Sequence, residues 1–288
     1  MLNKSVMFKT KICMAAILGL FDITTTAQTA LPPAPKGEIM GTAWVHTSDS
    51  LLASAQTADV VLPAKATGGV VFTGKLKDIP KLNGSKVPVV VFMHGSSGLT
   101  LKAIGEWQQW LAALGYASVA PDSFSLPNRI TYKSPIDVDA YERVHALRGS
   151  EIAPTLEALK SQTWVDRSQL ILAGSSEGSV PVAQYAGTEF MARILYAWSC
   201  EQNYFVKAPK NAFEAGKPVL NVISSTDPFF SKSNSWVGNA NPAGHCGAAL
   251  KGNAMASVLL IPDAPHTVLG VPAARQATAG FLAQIVKN

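Results

Sequence analysis

The sequence has little charge, few cysteines and no long hydrophobic run. Lys, Arg, Asp and Glu make up only 15% of the 288 residues and hydrophobic residues make up 48%, so the chain can bury a large core and is unlike a disordered protein. Three cysteines are too few for a small protein held together by a disulfide framework. The net charge is only +5, and no lysine cluster lies beyond the N-terminus, which argues against a nucleic-acid-binding protein.

The hydrophobic run near the N-terminus, residues 12–21, has about half of the ~20 residues that a membrane-spanning helix needs. Three lysines precede it, and the small residues Thr25 and Ala27 follow it. These features are typical of a secretory signal peptide, which we place at residues 1–27. The alternative is a buried N-terminal helix. We expect an exported protein, periplasmic or secreted, without membrane association once this segment is removed.

Removal of that segment would leave two cysteines, Cys200 and Cys246. In an oxidising compartment an even pair is a disulfide candidate, and this bridge would close a loop of about 45 residues. The alternative is a pair of buried thiols. Without histidines at the spacing of a zinc site, the two cysteines do not predict a metal site.

Short β-branched runs alternate with segments of helical periodicity along most of the chain. The run at 87–93 is continuous and apolar, which is typical of a strand buried on both faces. The predicted strands are 60–62, 70–72, 87–93, 116–120, 170–173, 192–198, 219–224 and 257–261, and the predicted helices are 101–114, 137–161, 179–186 and 271–286. Gly149 and Pro154 predict that the second of these helices is bent or split.

This alternation predicts an α/β fold with a mainly parallel central sheet and helices on both faces. We assign it to a single domain over residues 59–288. The preceding residues, 28–58, are rich in Pro, Thr, Ser and Ala and are predicted to be loosely structured.

The sharpest local signal is the sequence Gly-Ser-Ser-Glu-Gly at residues 174–178. It lies directly between a predicted strand and a predicted helix, which is the setting of a nucleophile elbow. The tight turn would present the Ser176 hydroxyl at the edge of the sheet, and glycine on each side would avoid collisions with the neighbouring strand and helix. Ser176 is therefore the predicted nucleophile. The alternative is a Gly/Ser turn that only begins a helix.

A serine hydroxyl needs a base to take its proton, and the chain has five histidines. His266 follows the last predicted strand, on a loop at the carboxyl edge of the sheet, where open α/β folds place their active sites. His46 lies in the N-terminal segment, His145 on the core-facing side of a helix, and His245 in a loop that contains glycine and proline. His266 is therefore the predicted base.

Chain order predicts the acid that orients this base. Asp227 follows the predicted strand 219–224, and the order Ser, Asp, His is the one expected for a nucleophile elbow of this kind. Asp263 is the alternative, but it precedes His266 by only three residues and is a better candidate for a turn.

The Gly-rich sequence His-Gly-Ser-Ser-Gly, residues 94–98, ends a predicted strand at the same edge. Such a turn can direct a backbone N–H at a developing oxyanion, so we expect the N–H groups of Ser96 and Glu177 to form an oxyanion hole. His94 would then be a structural member of the loop. Ser96 or Ser97 as the nucleophile is the alternative, but neither lies between a strand and a helix.

Five sequence blocks resemble the α/β-hydrolase fold and, within it, the dienelactone hydrolase-like group; they are Val89–Leu99, Gly115–Phe124, Gly174–Gly178, Thr226–Asp227 and Ala264–His266. The resemblance implies hydrolysis of an ester or lactone through a covalent acyl-enzyme, without a metal or organic cofactor. Dienelactone hydrolases proper use a cysteine nucleophile, so their lactone substrate does not transfer to a chain with Ser176. Cys246 also resembles exported members of the group, which favours the bridge to Cys200.

Four further residues carry weaker predictions. Arg148 lies on the inward side of its helix, where a lone charge needs a partner, and Asp122 is the expected one in a structural ion pair. Substrate binding by Arg148 is the alternative. Phe124 and Trp236 lie in loops that should border the site, where they could bind the acyl group of a substrate. Packing is the alternative for both.

Together these residues predict an exported serine hydrolase that cleaves a small carboxylic ester or lactone with a Ser-His-Asp triad. Its partner would be a small-molecule ester and not a nucleic acid. The alternatives are a non-catalytic binding module of the same fold, or a peptidase.

Overall fold

The computed structural model describes Met1 and residues 34–286. Apart from Met1, the predicted signal peptide, residues 1–27, lies outside the described residues. The strands are β1 Glu38–Met40, β2 Asp59–Leu62, β3 Phe72–Lys75, β4 Val87–Met93, β5 Ala117–Ala120, β6 Thr131–Lys133, β7 Val165–Ser175, β8 Ala192–Tyr196, β9 Val219–Ser224 and β10 Ala256–Ile261. The helices are α1 Ser48–Gln56, α2 Ala64–Thr67, α3 Lys102–Ala113, α4 Val138–Gly149, α5 Ile152–Lys160, α6 Ser179–Gln184 and α7 Pro272–Ile285. None of the helices between residues 34 and 286 combines the length and the apolar character that a bilayer-spanning helix needs.

Eight strands form one sheet in the order β10-β9-β8-β7-β4-β5-β2-β3. The six strands from β10 to β5 run parallel to one another, and β2 and β3 form an antiparallel hairpin at one edge. The loops after β4, β7, β9 and β10 therefore leave the same edge of the sheet, and they carry residues 94–98, Ser176, Asp227 and His266 respectively. The predicted fold class is confirmed.

Each face of the sheet has its own hydrophobic core, because alternate residues of a strand point to opposite faces. In β4, Val89, Val91 and Met93 belong to one core, while Val90 and Phe92 belong to the other. Side chains of α4, α5 and α6 complete the first core, and side chains of α3 and α7 complete the second. This two-sided burial is why the strand is a continuous apolar run.

The helical stretch predicted at 137–161 is split into α4 and α5 by Ser150 and Glu151. Gly149 is the last residue of α4. Pro154 lies in the first turn of α5, where a backbone N–H would have no acceptor within the helix, so its missing donor is tolerated.

The segment predicted to be loosely structured, residues 28–58, carries regular structure in its described part. β1 pairs with β6, and Ser48–Gln56 form α1. Thr47 caps this helix, because its side chain accepts from the Ser50 N–H while Ser50 Oγ accepts from the Thr47 N–H. A capping box of small polar residues can stabilise a helix that lacks a strong apolar pattern. The Ser, Thr and Ala content of this segment is therefore a poor guide to whether it is ordered.

His46 ties this segment to the rest of the domain. Its ring is buried, with Nδ1 2.9 Å from Ser50 Oγ and Nε2 3.1 Å from a carboxylate oxygen of Glu151. Residues 34–286 lie in one compact unit, so the domain extends N-terminal to residue 59.

Cys200 and Cys246 form the predicted disulfide, and both residues are buried. The bridge joins the loop that leaves the carboxyl end of β8 to the segment before β10. The Cys246 N–H also donates to the side-chain oxygen of Asn221 in β9, at 3.0 Å. The bridge therefore holds a long loop against the sheet, near the edge that carries the candidate site.

Candidate active site

The turn between β7 and α6 holds Ser176 in a strained backbone conformation. Its φ is +54°, in the left-handed region that residues with a side chain rarely adopt. A Cβ at Gly174 would lie 2.4 Å from the carbonyl oxygen of Gly178, and a Cβ at Gly178 would lie 2.1 Å from the carbonyl oxygen of Met93 in β4. Glycine is therefore required on both sides of the serine, and Ser176 itself lines a cavity at the carboxyl edge of the sheet.

Hydrogen bonds join Ser176, His266 and Asp227. The Ser176 hydroxyl lies 2.9 Å from Nε2 of His266, and Nδ1 of His266 lies 2.7 Å from Oδ2 of Asp227. With Nδ1–H donating to the carboxylate, Nε2 is left to accept the hydroxyl proton. A hydroxyl, an imidazole and a carboxylate in this order can move a proton away from the hydroxyl oxygen.

Both oxygens of the buried Asp227 carboxylate are held in place. Oδ1 accepts from the backbone N–H groups of Phe229 and Phe230, at 2.9 and 3.1 Å, while Oδ2 faces His266. Asp263, the alternative acid, lies in an exposed turn with φ +49°. Asp227 is thus the aspartate that the structure brings to His266.

The loop after β4 is built around His94. Its Nδ1 lies 2.7 Å from the carbonyl oxygen of Gly95 and must donate to it, so Nε2 is the acceptor, 3.2 Å from the Ser123 N–H and 3.1 Å from Nη1 of Arg148. Burial, and next the positive charge of Arg148, lower the pKa of His94 well below its ordinary value of 6.5. The ring is therefore neutral, and it serves to shape the loop.

Glu177, directly after Ser176, has its carboxylate buried in a charged cluster. Nη2 of Arg129 and the hydroxyl of Tyr132 each donate to it at 2.8 Å, and Nη1 of Arg148 lies 3.6 Å away. Burial, and next the Glu177 charge, raise the pKa of Tyr132 well above its ordinary value of 10, so its hydroxyl keeps its proton. The sequence marks neither Arg129 nor Tyr132, since Arg129 lies in the loop before β6, Tyr132 lies in this three-residue strand, and neither belongs to a motif.

Arg148 is in a structural ion pair, but the predicted partner, Asp122, is wrong. Nε of Arg148 lies 3.3 Å from Oε2 of Glu151, across the break between α4 and α5. Asp122 instead accepts from the Phe124 N–H in a short turn. The need for a partner follows from burial, but the partner depends on where the helix breaks.

A cavity of about 330 Å³ opens over Ser176 and His266. Short serine side chains, aliphatic side chains and five aromatic rings line it; the rings are those of Tyr132, Tyr204, Phe205, Phe229 and Phe230. The two aromatic residues predicted to border the site are not among the lining residues. Phe124 packs on His94 and Gly98, and Trp236 packs on Tyr204, so each contacts a residue of the cavity wall without lining the cavity.

A second hydrogen-bonded series of a serine, a histidine and a carboxylate, Ser50–His46–Glu151, has a structural role. All three residues are buried, and the Ser50 hydroxyl lies 3.1 Å from the carbonyl oxygen of Thr47, to which it donates. This serine helps to cap α1 and is out of reach of a substrate. In the described ranges, no three side chains of His, Cys, Asp or Glu are grouped to hold a metal ion.

Comparison with protein families finds a match to the dienelactone hydrolase family over residues 77–266. That is 190 of the 288 residues, and it includes Ser176, Asp227 and His266. The chain belongs to the dienelactone hydrolase family. It is a hydrolase that acts on ester bonds, with the α/β-hydrolase fold.

Solved structures share the fold of this dienelactone hydrolase family member. Esterase PE8 matches with a TM-score of 0.51 and 17% identity, over 72% of this chain and 97% of that one. A PEG-bound, cold-adapted esterase from an Arctic intertidal metagenomic library matches with a TM-score of 0.50 and 17% identity, over 71% and 85% of the two chains. DcsB, in complex with its substrate analogue, matches with a TM-score of 0.50 and 12% identity, over 78% and 98%. No curated protein matches the chain.

Proposed function

We propose that this member of the dienelactone hydrolase family is a serine carboxylesterase, cleaving a small ester or lactone through a covalent acyl-enzyme. The observation that carries the proposal is the position of the His266 imidazole, 2.9 Å from the Ser176 hydroxyl and 2.7 Å from the Asp227 carboxylate.

In the first half of the reaction, Ser176 Oγ attacks the carbonyl carbon of the ester and its proton passes to Nε2 of His266. The Asp227 carboxylate stabilises the imidazolium that forms. When the tetrahedral intermediate collapses, the bond to the alcohol oxygen breaks and His266 returns the proton to that oxygen. The products are a free alcohol and an acyl group on Ser176.

In the second half, water takes the place of the alcohol. His266 accepts a proton from the water as it attacks the acyl carbonyl, and the second intermediate releases the carboxylic acid. His266 then returns the proton to Ser176 Oγ, which restores the starting state.

The oxyanion of each intermediate would accept from the N–H groups of Ser96 and Glu177. The Gly95 carbonyl oxygen accepts from His94, at 2.7 Å, and from the Gly98 N–H, at 3.1 Å. Since the C=O and N–H of a trans peptide point in opposite directions, these bonds direct the Ser96 N–H away from His94, and Ser96 lines the cavity. Glu177 follows the nucleophile at the start of a helical turn, where N–H groups lack acceptors within the helix.

The same proposal includes export of the protein to the periplasm or the medium. It is supported by the basic, apolar and small-residue pattern of residues 1–27 and by the disulfide between Cys200 and Cys246. Cell fractionation, with mass spectrometry of the N-terminus, tests it.

Substitution of the nucleophile tests the reaction. We expect Ser176→Ala to lower the turnover of p-nitrophenyl acetate by roughly 10⁴-fold or more and to abolish labelling by a fluorophosphonate probe. Ser257→Ala, an exposed serine on β10, is the matched control and should retain both.

A further variant addresses the alternative nucleophile. Ser97→Ala should remain labelled, since the probe attaches to Ser176. Turnover and labelling that both persist in Ser176→Ala would refute the proposed mechanism, and labelling lost only in Ser97→Ala would move the nucleophile to that residue.

A further inference from the structure

We propose that the substrates are uncharged carboxylic esters with an aromatic or similarly compact apolar group beside the ester, and that the site discriminates against esters that carry a carboxylate. This inference rests on the proposed function and adds the class of substrate.

The first support is the chemistry of the cavity wall. None of the residues that line the cavity is Asp, Glu, Lys or Arg. The polar side chains there are the neutral hydroxyls of serine, threonine and tyrosine. A carboxylate that enters this cavity loses hydration without gaining a cationic partner, which disfavours its binding.

The buried charges next to the cavity are already paired. The side chains of Arg129 and Arg148 are 1% and 0% exposed, and those of Glu177 and Glu151 are both fully buried. Two positive and two negative charges thus face one another beneath the nucleophile. The two arginines have no exposed face to offer a substrate carboxylate.

A further negative charge lies behind the catalytic histidine. The Asp227 carboxylate is fully buried, with His266 between it and Ser176. An anionic substrate bound next to Ser176 would be repelled by this charge.

The second support is the arrangement of rings. The rings of Phe229 and His266 pack edge-to-face with their centroids 4.6 Å apart, and those of Phe205 and Phe230 do so with their centroids 5.5 Å apart. The Tyr204 ring is tilted against that of Phe205, with the two centroids 5.9 Å apart. Tilted rings of this kind present edges and faces to a flat aryl group, which favours offset or edge-to-face packing.

The size of the cavity is the third support. About 330 Å³ is at the small end of the 300–1,000 Å³ that is usual for ligand pockets. This volume suits one compact group beside the ester better than a long acyl chain.

The experiment compares two p-nitrophenyl esters of similar size and different charge, those of 4-carbamoylbenzoic acid and 4-carboxybenzoic acid, and divides each kcat/KM by the rate constant of that ester with hydroxide. The rigid ring keeps the carboxylate away from its own ester, so it cannot cleave the bond itself. We expect kcat/KM for the carbamoyl ester to exceed that for the carboxylate ester by at least about tenfold. Equal values, or a preference for the carboxylate ester, would overturn the inference.

A pair of charge-matched variants locates the effect. Leu101 is 36% exposed and lines the cavity at the start of α3, whereas Leu114, 43% exposed, lies just after the end of the same helix. Leu101→Arg should reduce the carbamoyl preference about threefold or more. Leu114→Arg, about 20 Å away along the helix axis and beyond the ~8 Å screening length, should leave it unchanged. An unchanged preference in Leu101→Arg, or the same shift in both variants, would contradict the inference.

The outcomes separate this inference from the proposed function. If fluorophosphonate does not label Ser176 in the wild-type protein and neither ester is cleaved, the proposed function is wrong. If Ser176 is labelled but both benzoate esters resist cleavage, or the carboxylate ester is cleaved equally well, the proposed function stands and the substrate class is wrong.

Discussion

The two oxygens of the Asp227 carboxylate have different partners, one that fixes the position of the carboxylate and one that receives its charge. One oxygen accepts from two backbone N–H groups, and the other accepts from His266. An amide in place of the carboxylate keeps the shape of the side chain but removes the negative charge, and its NH2 group would donate to Nδ1 of His266, which leaves the ring proton on Nε2.

We expect Asp227→Asn to lower kcat for p-nitrophenyl acetate by roughly 10³- to 10⁴-fold with little change in KM, because the imidazole would adopt the wrong tautomer. Asp263→Asn is the matched control and should keep a nearly normal kcat, since asparagine tolerates its φ of +49°. A large loss in the control, with activity preserved in Asp227→Asn, would exchange the roles of the two aspartates.

His94 can be tested in the same way, through the peptide that it holds. His94→Ala should lower kcat about 10²-fold with KM little changed, because the Gly95–Ser96 peptide loses its strongest donor and the Ser96 N–H loses its direction. His94→Asn should recover part of the loss, since a side-chain amide N–H can replace Nδ1–H. Equal activity of the alanine variant and the wild type would show that the loop keeps its shape without the histidine.

At the scale of elements, the turn from β7 to α6 depends on the close approach of β4. A Cβ at residue 178 would lie 2.1 Å from the Met93 carbonyl oxygen, whereas a Cβ at Gly280 in α7 would meet no atom within 4 Å. The two glycines therefore have opposite sensitivities to the same substitution.

We expect Gly178→Ala to lower the melting temperature, by an amount equivalent to several kcal/mol of unfolding free energy, and to abolish esterase activity. Gly280→Ala should raise the melting temperature slightly, because alanine is favoured over glycine within a helix by about 1 kcal/mol. Thermal unfolding followed by circular dichroism measures both. A stable, active Gly178→Ala protein would mean that β4 and the turn can separate without cost.

The parallel strands and the residues that follow them were predictable, because their signals are local. The strand predicted at 70–72 is wrong, because β3 begins only at Phe72 and both Val70 and Val71 are exposed. The continuous run at β4, the glycines around Ser176 and the strand before Asp227 each determine structure within a few residues. Parallel topology then brings Ser176, Asp227 and His266 to one edge of the sheet. The split between α4 and α5 follows equally from Gly149 and Pro154.

What could not be predicted depends on contacts between distant segments. Glu151 rather than Asp122 pairs with Arg148, because α4 ends at Gly149 and the turn that follows it brings Glu151 to the arginine. Phe124 and Trp236 contact residues of the cavity wall without lining the cavity, and no local pattern distinguishes a ring that faces a cavity from one that packs beside it. The order in residues 34–58 comes from a cap and a buried histidine, neither of which appears in hydrophobic periodicity.

For the molecule as a whole, buried histidines link stability to pH. His145 is packed against Tyr141 and Phe205, as its core-facing position predicts, and burial lowers its pKa from 6.5 to about 4, while the Glu177 charge acts weakly in the opposite direction. The unfolded chain binds a proton at this residue below about pH 6.5, and the folded protein does not. Stability contributed by the neutral ring is therefore complete above pH 6.5 and decreases as the pH falls to about 4.

We expect His145→Phe to weaken this dependence, since phenylalanine packs in the same place and takes up no proton. The loss of melting temperature between pH 7 and pH 5 should be smaller in the variant, corresponding to at most about 1.4 kcal/mol per pH unit for one residue. Calorimetry at the two pH values measures it. An identical loss in both proteins would mean that other groups dominate acid unfolding.

Residues 34–58 support the candidate site from outside its cavity. No residue of 34–58 lines the cavity, yet β1 pairs with β6, which carries Tyr132, and Ala43 bridges to Arg129. A shortened enzyme that started at residue 59 would keep Ser176, Asp227 and His266 but would lose the strand that braces the two residues holding Glu177. Removal of residues 34–58 would therefore remove part of the scaffold beneath the turn that carries Ser176.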